Sequence, residues 1–286
     1  MRDSSAIIYL NGEYLPKAQA ALSIEDRGVL FGDGVYEVLR FYHGRPLRME
    51  AHLERLRRSM KGIRLDEPEQ VAHLPRISAE LVQRNNLPDA KVYWQVTRGA
   101  APRDHLFPAA PVQPTVLAIA YPASPLEPAG QVPAWRAILA EDLRWSCCWI
   151  KSLMLMPNVL ARNQAHQANC QEAILHRQGR VTEGSSSNAF IVRDGTLWTH
   201  PADQWILDGV TRRLVLELAH QQGLPVREEA FTVDQLLAAD EVLLTGTTTH
   251  VAAVTHVDGR TIGSGKIGPV AQQLHRAFVH HIAQAC

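Results

Sequence analysis

The chain has 286 residues, of which 46% are hydrophobic and 20% charged, and its 29 Lys+Arg balance 29 Asp+Glu. That is the composition of a globular protein of roughly two domains, and zero formal charge gives no global attraction to nucleic acid or an anionic membrane. No run approaches the roughly 18 apolar residues of a bilayer span. The first residues lack an apolar core of signal-peptide length, and Cys147, Cys148, Cys170 and Cys286 fit neither zinc-site nor disulfide spacing. A cytoplasmic protein is expected, with no metal site, no nucleic-acid partner and no membrane association.

Ile7-Ile8-Tyr9-Leu10, Asn11-Gly12 and Glu13-Tyr14-Leu15 read as a hairpin, because Asn-Gly tolerates the positive φ angles of a type I′ turn. Two glycines around Asp33 allow a tight turn. The run Val35-Tyr36-Glu37-Val38-Leu39-Arg40 then alternates as a strand, with Tyr36 and Val38 on one face. Met49, Leu53, Leu56 and Met60 recur at helical spacing, which predicts a helix from Met49 to Lys61 with Arg55 beside its apolar stripe. A second helix is expected around Ser78 to Arg84, its start limited by Pro75. Lys91 to Arg98 alternates as a strand and runs into a loop carrying Arg103 and His105. An Arg-x-His on a loop can offer two cationic donors to an anion, although a solvated loop reads the same way. Val116 to Ala120 reads as a buried strand. The Pro-rich stretch after it sets the expected organisation: an N-terminal domain over 1–120, a connector over 121–130 and a C-terminal domain over 131–286.

Beyond the connector, Trp135 to Ala140 reads as a strand that leads to an apolar run around a single lysine, Trp149-Ile150-Lys151-Ser152-Leu153-Met154. A helix is expected from Pro157-Asn158, and Ala173 to His176 reads as a strand. Thr182-Glu183-Gly184-Ser185-Ser186-Ser187-Asn188 reads as a turn opened by a carboxylate. A lysine among apolar neighbours loses hydration, which suits it to act as a nucleophile or Schiff-base former. Taken alone, the pair also describes a lysine snorkelling from a strand end and a carboxylate capping a turn. Residues 190–198 form a further hairpin. Gly209 to Thr211 would open a helix whose N–H groups and dipole suit a phosphate, and Gly223 would stop it. Thr232 to Gln235 has the pattern of a capping box. Glu241 to Leu244 reads as a strand ending in the hydroxyl-rich Thr245-Gly246-Thr247-Thr248-Thr249, a second phosphate-type turn. Leu274, Phe278 and Ile282 mark a final packing helix.

Lysine, carboxylate and two phosphate-type turns are the parts needed to hold pyridoxal 5′-phosphate (PLP). At these residues nearly the whole chain resembles the class IV, branched-chain-type PLP-dependent aminotransferases, most closely their D-amino acid members. The blocks that carry the likeness are RGVLFGDGVYEV, AHLERL, QVTRGAAPRDHLF, IKSLMLMPNVLA, EAILHRQGRVTEGSSSNAF, ILDGVTR and LLTGTTT. The resemblance implies a two-domain α+β fold, with a smaller N-terminal α/β domain and a larger C-terminal PLP-binding domain. It implies Lys151 as Schiff-base lysine and general base, and Glu183 at the pyridine nitrogen. Arg55, Val210, Thr211 and Thr247 would hold the phosphate, Ser186 and Ser187 would contact the cofactor, and Leu207 would pack on the ring. Tyr36, Arg103 and His105 would bind the substrate carboxylate, the Arg-x-His loop acting across a homodimer interface. The implied reaction is ping-pong transamination between a D-amino acid such as D-alanine and a 2-oxo acid such as 2-oxoglutarate. Branched-chain L-amino acid or amine transamination and 4-amino-4-deoxychorismate lysis are the alternatives on the same fold. The chain departs from its nearest likeness at Met154, Gly246 and His250, where asparagine, serine and an acidic residue are usual.

Overall fold

The computed structural model describes residues 5–286, which divide into two compact units. One comprises the described residues up to Pro125 together with Ile150–Met154 and Cys286; the other comprises Leu126–Trp149 and Leu155–Ala285.

The first unit contains β1 (Ile7–Leu10), β2 (Glu13–Pro16), α1 (Arg27–Phe31), β3 (Gly34–Tyr42), β4 (Arg45–Pro46), α2 (Met49–Gly62), α3 (Glu69–Arg84), β5 (Ala90–Thr97) and β6 (Thr115–Pro122). Its six strands form an antiparallel sheet in the order β2-β1-β6-β5-β3-β4. Asn11 and Gly12 join β1 to β2 at φ of 50° and 107°, the left-handed pair expected of that turn. The apolar stripe of α2 packs on β3, and α3 packs on β6 and β1. At the centre Trp94 is fully buried, and its indole N–H donates to Ser78 Oγ at 2.8 Å, so the one polar atom of that ring is satisfied.

Pro75 does not start α3; the helix begins at Glu69 and runs through it. An interior proline costs about 3 kcal/mol. Val71, Leu74, Ile77 and Leu81 are each almost wholly buried on one face of the helix. Burial of such side chains contributes roughly 1.5–3 kcal/mol apiece, which outweighs the proline.

The second unit contains β7 (Ala134–Glu141), α4 (Met156–Gln167), β8 (Glu172–Arg177), β9 (Arg180–Gly184), β10 (Asn188–Arg193), β11 (Thr196–Thr199), α5 (Val210–Gln221), β12 (Val226–Glu228), α6 (Val233–Leu237), β13 (Glu241–Gly246), β14 (His250–Val257), β15 (Arg260–Thr261) and α7 (Pro269–Ala285). Its mixed sheet runs β12-β11-β10-β13-β14-β7-β8-β9, with β15 on β14; β7 is parallel to both β14 and β8. Ile174, Val181, Ile191, Phe231, Leu244 and Val257 lie in one core cluster of this unit. The Thr232 capping box forms as expected, its hydroxyl accepting from Gln235 N while the Gln235 side chain accepts from Thr232 N.

The sequence-based limits differ from these units in two places. β6 continues to Pro122, so the connector starts later than 121. The segment Ile150–Met154 groups with the first unit, although the limits put it in the second. Among the described residues no helix is long and apolar enough to cross a membrane, and no group of three or more His, Cys, Asp or Glu could hold a metal ion.

Candidate active site

In the first unit Lys151 is fixed by its backbone. Tyr36 N donates to Lys151 O at 2.9 Å, Lys151 N donates to Ser59 Oγ of α2 at 3.1 Å, and Leu153 N donates to Gly34 O at 3.0 Å. Gly34 permits this approach: a Cβ there would lie 2.8 Å from Leu153 Cδ1 and 2.7 Å from Val96 O. The Lys151 ammonium lies 4.4 Å from the Tyr36 ring centroid, a cation–π contact worth about 0.5–2 kcal/mol.

Strand alternation sends Glu37 to the face opposite Tyr36, towards α2. There Glu37 is fully buried and accepts from Arg55 Nε at 2.6 Å, from Arg55 Nη2 at 2.9 Å and from His52 Nδ1 at 2.8 Å. Burial pushes this carboxyl up, but the Arg55 charge and its forked bonds push it down further, leaving it well below the usual carboxylate range. Burial holds the His52 imidazole below its ordinary value, against the pull of Glu37. Arg55, placed by its sequence beside the apolar stripe, therefore points inward on a fixed carboxylate. Arg103 and His105 lie on the exposed loop after β5. The Phe31 ring is 5.3 Å from the Arg103 guanidinium and 5.5 Å from the His105 ring.

In the second unit Glu183 belongs to β9, and the turn begins after it. Its buried carboxylate gathers donors from separate segments. Arg144 Nη1 donates to Oε1, Asn188 Nδ2 to Oε2 at 2.8 Å, and Leu207 N to Oε1 and Oε2 at 3.1 and 3.2 Å. Burial pushes the Glu183 carboxyl above its ordinary range, while the charge and hydrogen bond of Arg144 and the Leu207 amide pull it back. Arg144 is shared with Asp142, which it meets through Nε at 2.9 Å and Nη2 at 2.8 Å; Thr182 Oγ1 also donates to Asp142, at 2.9 Å. Burial pushes the nearby Cys148 thiol up to about 11, so it stays protonated and does not compete as a nucleophile.

The other residues expected in this unit lie on neighbouring turns. Asn188 Nδ2 also donates to Leu207 O at 2.8 Å, and a Cβ at Gly209 would lie 2.1 Å from Asn188 Oδ1, so the start of α5 adjoins the Glu183 turn. Val210 and Thr211 open α5, whose N-cap Gly209 offers no side-chain acceptor. The turn bearing Thr247 adjoins Ser186, since a Cβ on Gly246 would lie 3.5 Å from Ser186 O. The hydroxyls of Ser186 and Ser187 are directed at Glu172, at 3.2 and 3.0 Å. His250, where an acidic residue is usual, pairs with Glu127 through Nδ1 at 3.0 Å.

Sequence reasoning missed Arg144, Asp142 and Asn188 around Glu183, and Glu37 and His52 around Arg55. Asp142 and Arg144 carry alternating opposite charges in an irregular segment with no periodicity to give them a face. Glu37 was visible as a carboxylate flanked by Tyr36 and Val38 inside a largely apolar strand, which is a signal for a buried, paired carboxylate.

The chain matches the family model for amino-transferase class IV over residues 34–257. It is 44% identical over 280 residues to a D-alanine aminotransferase of Listeria monocytogenes, covering 98% of this chain and 97% of that one. It is 42% identical over 276 residues to the D-alanine aminotransferase of Staphylococcus aureus, covering 96% and 97%. Its fold resembles a branched-chain aminotransferase of Thermoproteus uzoniensis solved with norvaline, with a TM-score of 0.89 and 27% identity over 98% of this chain and 96% of that one. A T.th. branched-chain amino acid aminotransferase solved with pyridoxamine 5′-phosphate has a TM-score of 0.91 and 28% identity over 99% and 95%. The donor set present here fits a phosphorylated pyridine aldehyde. In the second unit a buried, donor-braced carboxylate and a helix start without a side-chain cap lie on neighbouring turns.

Proposed function

The chain belongs to the class IV aminotransferases and, with PLP, catalyses transamination between a D-amino acid and a 2-oxo acid; we propose that Lys151 and Glu183 are the residues at the centre of that reaction. The observation that carries this assignment is Glu183 itself, a buried carboxylate that three chain segments brace as an acceptor. When bound, PLP supplies an electron sink for the electrons of the substrate Cα–H bond.

In this reading Lys151 would hold the cofactor through Nζ, and its amine would move the proton between the substrate Cα and C4′. Glu183 holds a proton on the pyridine nitrogen, because a nearby carboxylate favours the charged form of that ring. Val210 N, Thr211 N, Thr247 and Arg55 hold the phosphate, the first two at the positive end of α5. Ser186 and Ser187 support the cofactor by shaping the turn, since their hydroxyls serve Glu172. Leu207 packs on the ring while its N–H braces Glu183. Tyr36, Arg103 and His105 hold the substrate carboxylate. The active unit is a cytoplasmic homodimer in which the Arg103–His105 loop serves the partner's site.

With the amine fixed on the ring, handedness depends on which side holds the carboxylate. Donors gathered on one side select the D enantiomer, because the L enantiomer would put its side chain among them. An unpaired buried donor costs roughly 1–3 kcal/mol, so two such losses give a preference of at least about thirtyfold. Steady-state assays with 2-oxoglutarate as acceptor test this directly. D-Ala should exceed L-Ala and L-Leu in kcat/KM by that margin; equal values for D-Ala and L-Ala would end the assignment of the carboxylate side.

A further inference from the structure

The loop from Arg103 to Phe107 is exposed and irregular, yet its backbone is tied to a buried side chain. Arg27, at the start of α1, donates from Nη1 to Asp104 O at 2.7 Å and to Leu106 O at 3.2 Å, the two carbonyls that flank His105 in the chain. Arg27 is 3% exposed, and its Nε is fixed on Asp33 Oδ2 at 2.8 Å. Arg98 holds the same carboxylate with Nε at 2.8 Å and Nη2 at 3.0 Å, and lies 4.0 Å from the centroid of the Phe107 ring at the far end of the loop. The half-buried Phe31 ring adds a platform, with Arg27 at 4.8 Å, Arg103 at 5.3 Å and the His105 ring at 5.5 Å. Asp33 supplies the negative charge that lets these arginines converge. Its carboxyl is pushed up by burial but held below its ordinary range by hydrogen bonds and charge from Arg98 and Arg27.

We propose that Arg27 and Phe31 form a clamp, braced by Asp33, that positions the Arg103 and His105 side chains and thereby sets the enzyme's affinity for the substrate carboxylate and its preference for D-amino acids. The proposal rests on the assignment of Arg103 and His105 to the substrate carboxylate. Arg27 and Phe31 are positioning residues. The guanidinium plane of Arg27 can meet Asp33 and two loop carbonyls at once, which a lysine ammonium on a flexible stem cannot do with the same geometry. The Phe31 ring attracts the Arg27 and Arg103 guanidiniums and packs against the tilted His105 ring. A trap ordered before substrate arrives does not lose binding energy to ordering its own donors. The clamp touches neither Lys151 nor Tyr36 by any contact described above, so its loss should leave the proton-transfer machinery in place.

The test is a KM-against-kcat split in the holoenzyme. Phe31→Leu removes the ring and keeps an apolar side chain; Phe31→Tyr restores the ring; Arg27→Lys keeps charge without the fork. Phe31→Leu and Arg27→Lys should each raise KM for D-Ala by roughly tenfold, the loss of a well-placed charged contact, with kcat within about twofold. Both should lower the D-Ala over L-Ala ratio, and Phe31→Tyr should behave as the parent. The cofactor's visible spectrum and the half-reaction with isopropylamine, an amine without a carboxylate, should not change. Arg103→Leu in the same assay separates the two levels of the argument. A raised KM in Arg103→Leu with an unchanged KM in Phe31→Leu and Arg27→Lys overturns the clamp alone. An unchanged KM in Arg103→Leu overturns the carboxylate assignment and the clamp with it. If Arg27→Lys fails to fold, the Phe31 pair decides.

Discussion

Arg144 donates from Nη1 to Glu183 Oε1 while its Nε and Nη2 hold Asp142, so one half-buried arginine fixes both carboxylates. Glu183 is 4% exposed, and burial alone would favour its neutral form. A neutral Glu183 could not hold a proton on the pyridine nitrogen. Arg144→Gln removes the cation and raises the Glu183 pKa further. The acidic limb of kcat should therefore move to higher pH, and kcat at neutral pH should fall roughly ten- to hundredfold, the worth of one hydrogen bond to a charged group. A pH–kcat profile checks this; an unmoved acidic limb would separate Arg144 from the chemistry.

Glu183→Gln keeps the side-chain shape and an acceptor for Asn188 and the Leu207 amide, but removes the charge. The variant should retain PLP through dialysis and turn over D-Ala more slowly than the parent by at least about a hundredfold, since more than one charge-assisted interaction is lost. Stopped-flow measurement of the D-Ala half-reaction, alongside cofactor content, distinguishes a chemical defect from a binding one.

The first unit should be acid-sensitive at Glu37. Its folded-state carboxyl lies below the ordinary range, so the group contributes stability that is complete above about pH 4.5, the unfolded-state value, and is lost as pH falls towards the folded-state value. Asp33 and Asp142 are lowered in the same sense, and their contributions are lost as pH falls below about 3.8, their unfolded-state value. Glu37→Gln removes the charge that Arg55 and His52 share, a loss of roughly 1.5–3 kcal/mol at neutral pH, the worth of a hydrogen bond to a charged group. Thermal melts from pH 3 to 7 should show a lower Tm at neutral pH and a flatter acid limb than in the parent.

The homodimer assignment predicts complementation. Arg103→Ala and Lys151→Ala proteins should each be nearly inactive on D-Ala. Unfolded together and refolded as a mixture, they should regain about a quarter of parental activity, because random pairing makes half the dimers hybrid and each hybrid has one intact site. Sedimentation of a fully active monomer would rule the arrangement out.

Much of this arrangement is legible in the sequence because its signals are local. The Asn11-Gly12 turn, the helical spacing from Met49 to Met60 and the Thr232 capping box each depend on a few neighbouring residues, and each forms where the pattern puts it. Pro75 misleads because a local penalty is offset by tertiary burial that no window of sequence contains. Glu183 reads as a turn residue because Gly184 and three serines follow it, whereas β9 runs on to Gly184 and holds Glu183 at an irregularity of its pairing with β8. The bracing of Glu183 and Arg55 is invisible for a related reason. Arg144 lies 39 residues from Glu183 in sequence, and Glu37 lies 18 from Arg55. Nothing in the local pattern of either carboxylate names its partner.

The central assignment is that Lys151 carries the cofactor, and chemical trapping tests it most directly. Borohydride reduction of the PLP-loaded enzyme, followed by proteolysis and mass spectrometry, should place the pyridoxyl group on the peptide containing Lys151, and prior saturation with D-Ala should abolish the label. A pyridoxyl group on Lys17, Lys61, Lys91 or Lys266 with Lys151 unmodified would contradict the account.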